Sequence, residues 1–191
     1  MSGVSVVIPC RRPEDPALKE LGRDYVALGA LEVILQGGEG ISWARNEGAR
    51  RAKGSIVVHS DDDATLVGDF RWFDTRPDRE RWWVASRWTD ASGDPYTITM
   101  CARLTGLVKV LPSMSAIGPF TAVRREPFLR LGGLSYSSVY TDTEFARRAA
   151  RVWGNPVVAP FEVVVRRRFS TMGEIVEQHA ERLVRAGGGP G

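Results

Sequence analysis

Short apolar runs that alternate with helix-forming stretches constrain the fold of this chain most strongly. Within residues 1–60, β-prone runs at 4–8, 31–35 and 55–59 alternate with helix-forming stretches at 17–21 and 44–53. Ser42 is predicted to cap the second helix, and Gly54 to end it. This order predicts parallel strands joined by right-handed helical crossovers, and therefore an α/β fold with a mostly parallel central sheet flanked by helices.

The second half of the chain predicts further elements of both kinds. Strands are expected near 97–101, 107–111, 116–123 and 157–165, and helices at 126–131, 142–153 and 171–185. A glycine-rich tail follows at 187–191. A chain of 191 residues with 43% hydrophobic residues suits one domain with a substantial core.

Composition excludes several classes of protein. Two cysteines, Cys10 and Cys101, are too few for a disulfide framework and lack a zinc-binding spacing, so a reduced, cytoplasmic setting is expected. No apolar run is long enough to span a membrane, and the start of the chain lacks a signal-peptide pattern. The net charge of +3 is too small to indicate nucleic-acid binding by charge alone, although only three of the 26 basic residues are lysines.

Asp61, Asp62 and Asp63 directly follow the third apolar run and carry the strongest chemical signal. In an open α/β sheet this position lies at the carboxyl edge, where ligands bind and where the loops after residues 9 and 36 also begin. Neighbouring carboxylates repel each other, and a Mg²⁺ or Mn²⁺ ion that also binds substrate phosphates would offset the repulsion. The alternative is a solvated acidic turn.

Several motifs follow one another in order along residues 4–168. They are Val7-Ile8-Pro9, Ala44-Arg45-Asn46-Glu47-Gly48, Ala52-Lys53-Gly54, Asp61-Asp62-Asp63, Leu131-Gly132-Gly133-Leu134 and Thr141-Asp142-Thr143-Glu144. This series resembles the nucleotide-sugar glycosyltransferases of the inverting family 2, which have the Rossmann-like GT-A fold. The resemblance implies a nucleotide-binding half at 1–64, an acceptor half at 65–170 and a C-terminal helix at 171–186.

The resemblance also implies a role for each site residue. Asp142 would be the general base, Asp61 would contact the ribose or nucleobase, and Asp63 would hold Mn²⁺ or Mg²⁺. The donor nucleotide would further contact Pro9, Arg11, Gln36, Gly37, Arg45 and Asp62. The acceptor side would include Trp88, Gly132 and Gly133. The acceptor itself, a carbohydrate, a lipid-linked sugar or a small molecule, stays open.

Two departures from the family pattern bear on this interpretation. Thr141 stands where many members have a glutamate before the base. Arg166 and Arg168 stand where many members supply a histidine metal ligand, and a guanidinium there could pair with the diphosphate instead.

Other functions use some of the same residues. Asp142 could be only a helix cap. A nucleotidyltransferase, or another metal-dependent phosphotransfer enzyme, would also use Asp61 and Asp63. A noncatalytic module that binds nucleic acid or phosphate would use the arginines and tryptophans but leaves the acidic triplet unexplained, so no nucleic-acid partner is expected. The predicted last helix is amphipathic but poor in basic residues on its polar face, so at most a peripheral contact with a membrane is expected.

Overall fold

A computed structural model describes residues 3–75, 83–90, 120–136, 141–154 and 157–165, with only the backbone described for 75, 83–90, 143 and 157–162. In these residues, seven strands form one sheet that is covered by helices. The elements in chain order are β1 (Val4–Pro9), α1 (Pro16–Ala27), β2 (Glu32–Gln36), α2 (Ile41–Arg51), β3 (Ile56–Ser60), β4 (Ala64–Val67), a 3₁₀ helix (Phe70–Thr75), β5 (Trp83–Asp90), β6 (Phe120–Arg124), α3 (Arg125–Arg130), α4 (Thr141–Trp153) and β7 (Val157–Val165).

The sheet is mixed, in the order β2-β1-β3-β6-β5-β7-β4. The first three strands are parallel, as predicted, with Val6 of β1 in register with Val33 of β2 and Val58 of β3. β6 runs antiparallel to both β3 and β5, β5 and β7 are parallel, and β4 pairs antiparallel with β7. The parallel half therefore brings the carboxyl ends of β1, β2 and β3 to one edge of the sheet.

Alternate side chains of the parallel strands bury two separate apolar cores. Val6 and Ile8 pack on the face covered by α1 and the 3₁₀ helix, whereas Val7 packs on the face covered by α2, α3 and α4. Gly48 of α2 lies against Val7, and a Cβ at Gly48 would stand 2.3 Å from Val7 Cγ1. The glycine in this helix therefore lets α2 pack closely on the sheet.

The structure corrects some of the predicted elements. α1 runs on to Ala27, well past the predicted end at 21. α2 begins at Ile41 with Gly40 as its N-cap and without a side-chain cap hydrogen bond, so the prediction that Ser42 caps this helix is wrong. The strands β4 and β5 were not predicted, and β6 starts at Phe120 within the predicted run.

Other predictions concern residues for which the structure gives no description. These are the strands at 97–101 and 107–111, the helix at 171–185 and the tail at 187–191. Among the described helices, none has the length and apolar character that crossing a membrane requires.

Candidate functional site

Tyr25 fixes the acidic turn that joins β3 to β4. Its hydroxyl oxygen lies 2.7 Å from Ser60 Oγ, at the end of β3, and donates to the carbonyl of Ala64, at the start of β4, over 3.1 Å. Tyr25 is 1% exposed. A hydrogen bond from the Ala64 N–H to the Asp61 carbonyl closes the turn itself. The three aspartates therefore lie on a turn whose two ends are both hydrogen-bonded to Tyr25.

Arg45 of α2 joins two carboxylates that are far apart in sequence. Its Nη2 donates to Asp61 Oδ1 over 2.5 Å, and its Nη1 donates to Asp142 Oδ1 over 2.8 Å. The Arg45 side chain is 5% exposed, whereas those of Asp61 and Asp142 are 37% and 35% exposed. The guanidinium is thus buried while both carboxylates reach the surface.

Burial and the two neighbouring carboxylates have opposite effects on the pKa of Arg45. Burial acts to lower the pKa of Arg45, but Asp142 and Asp61 outweigh it, so that the pKa is raised and the side chain is charged. Burial raises the pKa of Asp61 to about 6, with Asp142 and Asp63 adding to the rise and Arg45 opposing it. Arg45 therefore only partly offsets the effect of burial and of the neighbouring carboxylates on Asp61.

An open cleft of about 940 Å³ lies beside the acidic turn. Its lining brings together the predicted donor-site residues Pro9, Arg11, Asp61, Asp62 and Asp63. The other lining residues are Cys10, Arg12 and Asp15 of the β1–α1 loop, Leu18 of α1, Gly38 and Gly40 of the β2–α2 loop, and Ile41 and Ala44 of α2. Burial raises the pKa of the Cys10 thiol, and the charges of Asp62, Glu14 and Asp15 add to the rise. Cys10 therefore lines the cleft as a neutral thiol.

His59 lies on β3 in the layer that α2 and α3 cover. It is 4% exposed and packs on Phe128, with 5.0 Å between the ring centroids. Among the residues that the structure describes, neither ring nitrogen has a hydrogen-bond partner. Burial and the nearby charge of Arg45 lower its pKa to about 3, so His59 is a neutral packing residue.

The predicted acceptor loop at Gly132 and Gly133 is bound to two helices. Arg148 of α4 donates to the carbonyls of Leu131 and Gly133, and it is itself paired with Glu144. Asn46 of α2 bonds the backbone of Leu134 next to it. Within the described structure, these two glycines therefore lie in a turn that side chains of α2 and α4 hold in place.

Other predicted site residues lie away from the cleft lining or outside the description. Gln36 is 8% exposed and is held by Arg51, whose Nη1 donates to Gln36 Oε1 over 2.6 Å. Gly37 packs against Pro13 of the β1–α1 loop. Trp88 lies on β5, where only the backbone is described, and Arg166 and Arg168 lie outside the described residues.

The carboxylates of the turn fit a divalent cation, although no group of three His, Cys, Asp or Glu side chains in the described part of the chain is arranged to hold a metal by itself. Hard cations such as Mg²⁺ are bound by one or two carboxylates, with phosphate oxygens and water completing the shell. Asp63 lines the cleft, and Asp61 and Asp63 are close enough for each charge to affect the other. That donor set suits a metal delivered together with a phosphate ligand.

No protein-family model matches the chain, and no curated protein matches it in sequence. Solved structures do match its fold. A mannosyltransferase from Pyrobaculum calidifontis, in complex with GDP-Man and Mn²⁺, has a TM-score of 0.62 at 18% identity over 96% of this chain. Glucosyl-3-phosphoglycerate synthase from Mycobacterium tuberculosis, in complex with Mn²⁺, UDP and glucosyl-3-phosphoglycerate, has a TM-score of 0.63 at 14% identity over 97% of it. The chain has a GT-A fold.

A third GT-A structure, GalNAc-T7 with UDP, GalNAc and Mn²⁺, has a TM-score of 0.56 at 16% identity over 89% of the chain. The chain spans 62% of the length of the mannosyltransferase, 78% of the synthase and 45% of GalNAc-T7. These likenesses confirm the predicted GT-A fold, with its α/β sheet flanked by helices.

Sequence inspection missed two features of the site. Tyr25 belongs to no motif, and only its place as a large polar aromatic among the buried residues of α1 could have indicated a role. Arg45 was assigned to the donor nucleotide, but it is not among the residues that line the cleft. Its two adjacent carboxylates explain why so polar a side chain is buried in α2.

Proposed function

We propose that the protein is a glycosyltransferase that moves a sugar from a nucleotide-diphosphate sugar to an acceptor hydroxyl with inversion, in the manner of family 2. The observation that carries this proposal is the pairing of Asp61 and Asp142 with one buried guanidinium, at the carboxyl edge of a GT-A sheet. Asp61, which lines the cleft, thus lies next to Asp142 in the first turn of α4. Inverting transfer needs a donor site and a base so arranged.

On the donor side, the nucleotide would lie in the cleft between the β1–α1 loop and the acidic turn. Pro9 and Arg11 would contact the nucleoside. Gly37 would support the β1–α1 loop through its contact with Pro13. Asp61 and Asp62 would bind its ribose or base. Arg11 is exposed in the cleft and can also approach the diphosphate, since guanidinium groups bind phosphate in bidentate fashion.

Asp63, with Asp61 beside it, would hold Mn²⁺ or Mg²⁺. When bound, such a metal supplies positive charge that stabilises the departing diphosphate. The same solved structures that share the fold contain Mn²⁺, which supports this assignment. Arg166 and Arg168 would add positive charge on the diphosphate side.

Asp142 would accept the proton of the acceptor hydroxyl as its oxygen attacks the anomeric carbon. The bond between that carbon and the nucleotide diphosphate breaks on the opposite side, which inverts the anomeric centre. Asp142 Oδ1 is held by Arg45, and the side chain remains 35% exposed, so an acceptor can reach the carboxylate. Trp88 and the Gly132–Gly133 turn would form the acceptor side.

Nucleotide binding tests the donor site without knowledge of the acceptor. Thermal unfolding is measured with UDP, GDP, CDP, ADP and dTDP, each with and without Mn²⁺. A ligand of the native state raises the melting temperature by mass action. We expect a Mn²⁺-dependent rise with one nucleotide, loss of that rise in Asp63→Ala, and its retention in Asp69→Ala, which removes an exposed carboxylate paired with Arg71.

The base is tested with the sugar nucleotide that matches the nucleotide so identified. Asp142→Asn should keep nucleotide binding and abolish sugar transfer to water or to added hydroxyl acceptors. Absence of binding by every nucleotide would contradict the proposal and favour a noncatalytic module. Release of pyrophosphate from a nucleoside triphosphate, without sugar transfer, would favour a nucleotidyltransferase.

A further inference from the structure

Arg45 is oriented entirely toward the two carboxylates. Each Nη binds a different aspartate, and Nε is buried with no hydrogen-bond partner in the described part of the chain. Asp61 directly follows β3, 16 residues from Arg45, and Asp142 lies in the first turn of α4, 97 residues from it. A single side chain thus connects three separate elements at the edge of the cleft.

The helix that carries Arg45 is itself firmly located. Asn46, the next residue, bonds both backbone groups of Leu134 over 2.8 Å. Gly48, on the next turn, packs directly against Val7 of β1. The guanidinium therefore has a defined position relative to the sheet, from which it can set the positions of both carboxylates.

Lysine could not replace this arrangement. The planar guanidinium offers several N–H groups in a rigid fork, whereas a lysine ammonium is a compact point charge on a flexible stem. Arg45 directs two nitrogens of its fork to two separate acceptors. A lysine would keep the charge but lose the fixed spacing between them.

We propose that Arg45 is a positioning residue that holds Asp61 and Asp142 in a fixed relation, and that it does not itself bind the donor. The proposal rests on the proposed function, because it takes Asp142 as the base and Asp61 as a donor contact. It replaces the donor contact that the sequence assigned to Arg45. Misplacement of a reacting group by about 1 Å can cost about a hundredfold in rate, so loss of the fork should affect turnover strongly.

The test compares Arg45→Lys and Arg45→Ala with Arg50→Lys, which changes an exposed arginine of the same helix that is paired with Glu47. Turnover of the identified sugar nucleotide and affinity for its nucleotide with Mn²⁺ are measured for each. We expect Arg45→Lys to lower kcat about a hundredfold, because Asp142 loses its fixed position relative to the donor site. Nucleotide Kd should change less than threefold, because Tyr25 and the Ala64 N–H still hold the turn that carries Asp61. Arg50→Lys should match the parent protein. Millimolar guanidinium should restore part of the turnover of Arg45→Ala, and NaCl at equal ionic strength should not.

A nucleotide Kd that weakens as much as kcat falls would make Arg45 a donor contact and overturn the proposal. Unchanged kcat in Arg45→Lys would overturn it as well. If Arg45→Ala does not fold, the proposal is tested by Arg45→Lys alone, from whether kcat falls much more than nucleotide Kd weakens. Turnover in the parent protein separates failure of this proposal from failure of the proposed function, since without any turnover Asp142 has no base role for Arg45 to support.

Discussion

Asn46 satisfies both backbone groups of Leu134 with one side chain. Its Oδ1 accepts from the Leu134 N–H and its Nδ2 donates to the Leu134 carbonyl, each over 2.8 Å. Asn46 is 1% exposed and Leu134 is 4% exposed. The amide therefore replaces a strand partner for a buried segment, which explains an asparagine on the inner face of α2.

Replacement of Asn46 by alanine should destabilise the protein by about 2–4 kcal/mol, because two buried backbone groups would lose their partners. The free energy of unfolding is measured by urea denaturation. Lys53→Ala, at an 81% exposed side chain, should stay within about 0.5 kcal/mol of the parent. An Asn46→Ala protein as stable as the control would show that water replaces the amide.

Gly133 lies against the same asparagine. Its φ is +65°, and a Cβ there would stand 2.4 Å from Asn46 Oδ1. Gly133→Ala should therefore destabilise the protein through both backbone strain and a clash, by about 2–4 kcal/mol. Gly154→Ala is the matched control, since Gly154 has φ +81° and, apart from its chain neighbours, no described residue has an atom within 4 Å of the added Cβ. Equal losses of stability in the two variants would contradict the clash.

Two strands of the first half, β1 and β3, could be predicted because they are buried on both faces and so appear as continuous apolar runs. β1 and β3 have every residue but Pro9 buried. β4 has only four residues and directly follows the acidic turn, and β5 includes Arg87 and Asp90, so neither shows a run of that kind. The start of α2 was misplaced because Gly40 provides no side-chain cap for a pattern to show.

The acidic turn could also be located from sequence, since the carboxyl edge of a parallel sheet follows from the order of elements. The environment of Arg45 could not be predicted from the sequence. Its partners Asp61 and Asp142 come from two other elements, and only the packed structure shows that one arginine reaches both. Gln36 illustrates the same limit, because its hydrogen bond with Arg51 of α2 is visible only in the packed structure.

Tyr25 should matter for both stability and metal binding. Tyr25→Phe removes the hydroxyl that bonds Ser60 and Ala64 on either side of the acidic turn, at an expected cost of about 1–2 kcal/mol. Since the proposed metal carboxylates stand on that turn, the Mn²⁺-dependent thermal shift with nucleotide should shrink as well. Tyr136→Phe, at a residue 58% exposed, is the control and should change neither quantity. A full Mn²⁺ shift in Tyr25→Phe would show that the turn keeps its shape without the hydroxyl.

His59 should make stability depend on pH. Its pKa is about 3 in the folded protein, against an ordinary value of 6.5, so the unfolded chain binds more protons between those values. Stability is therefore complete above pH 6.5 and is lost as pH falls, by about 1.4 kcal/mol between pH 7.5 and 5.5. Asp61 has the opposite effect on the pH dependence of stability, since its raised pKa makes the folded state bind more protons than the unfolded chain. The difference between parent and His59→Leu isolates the histidine, because Asp61 is common to both. Urea unfolding at several pH values should give a smaller acid loss in His59→Leu than in the parent. Equal acid losses in the parent and His59→Leu would mean that the imidazole gains a proton without leaving its buried site.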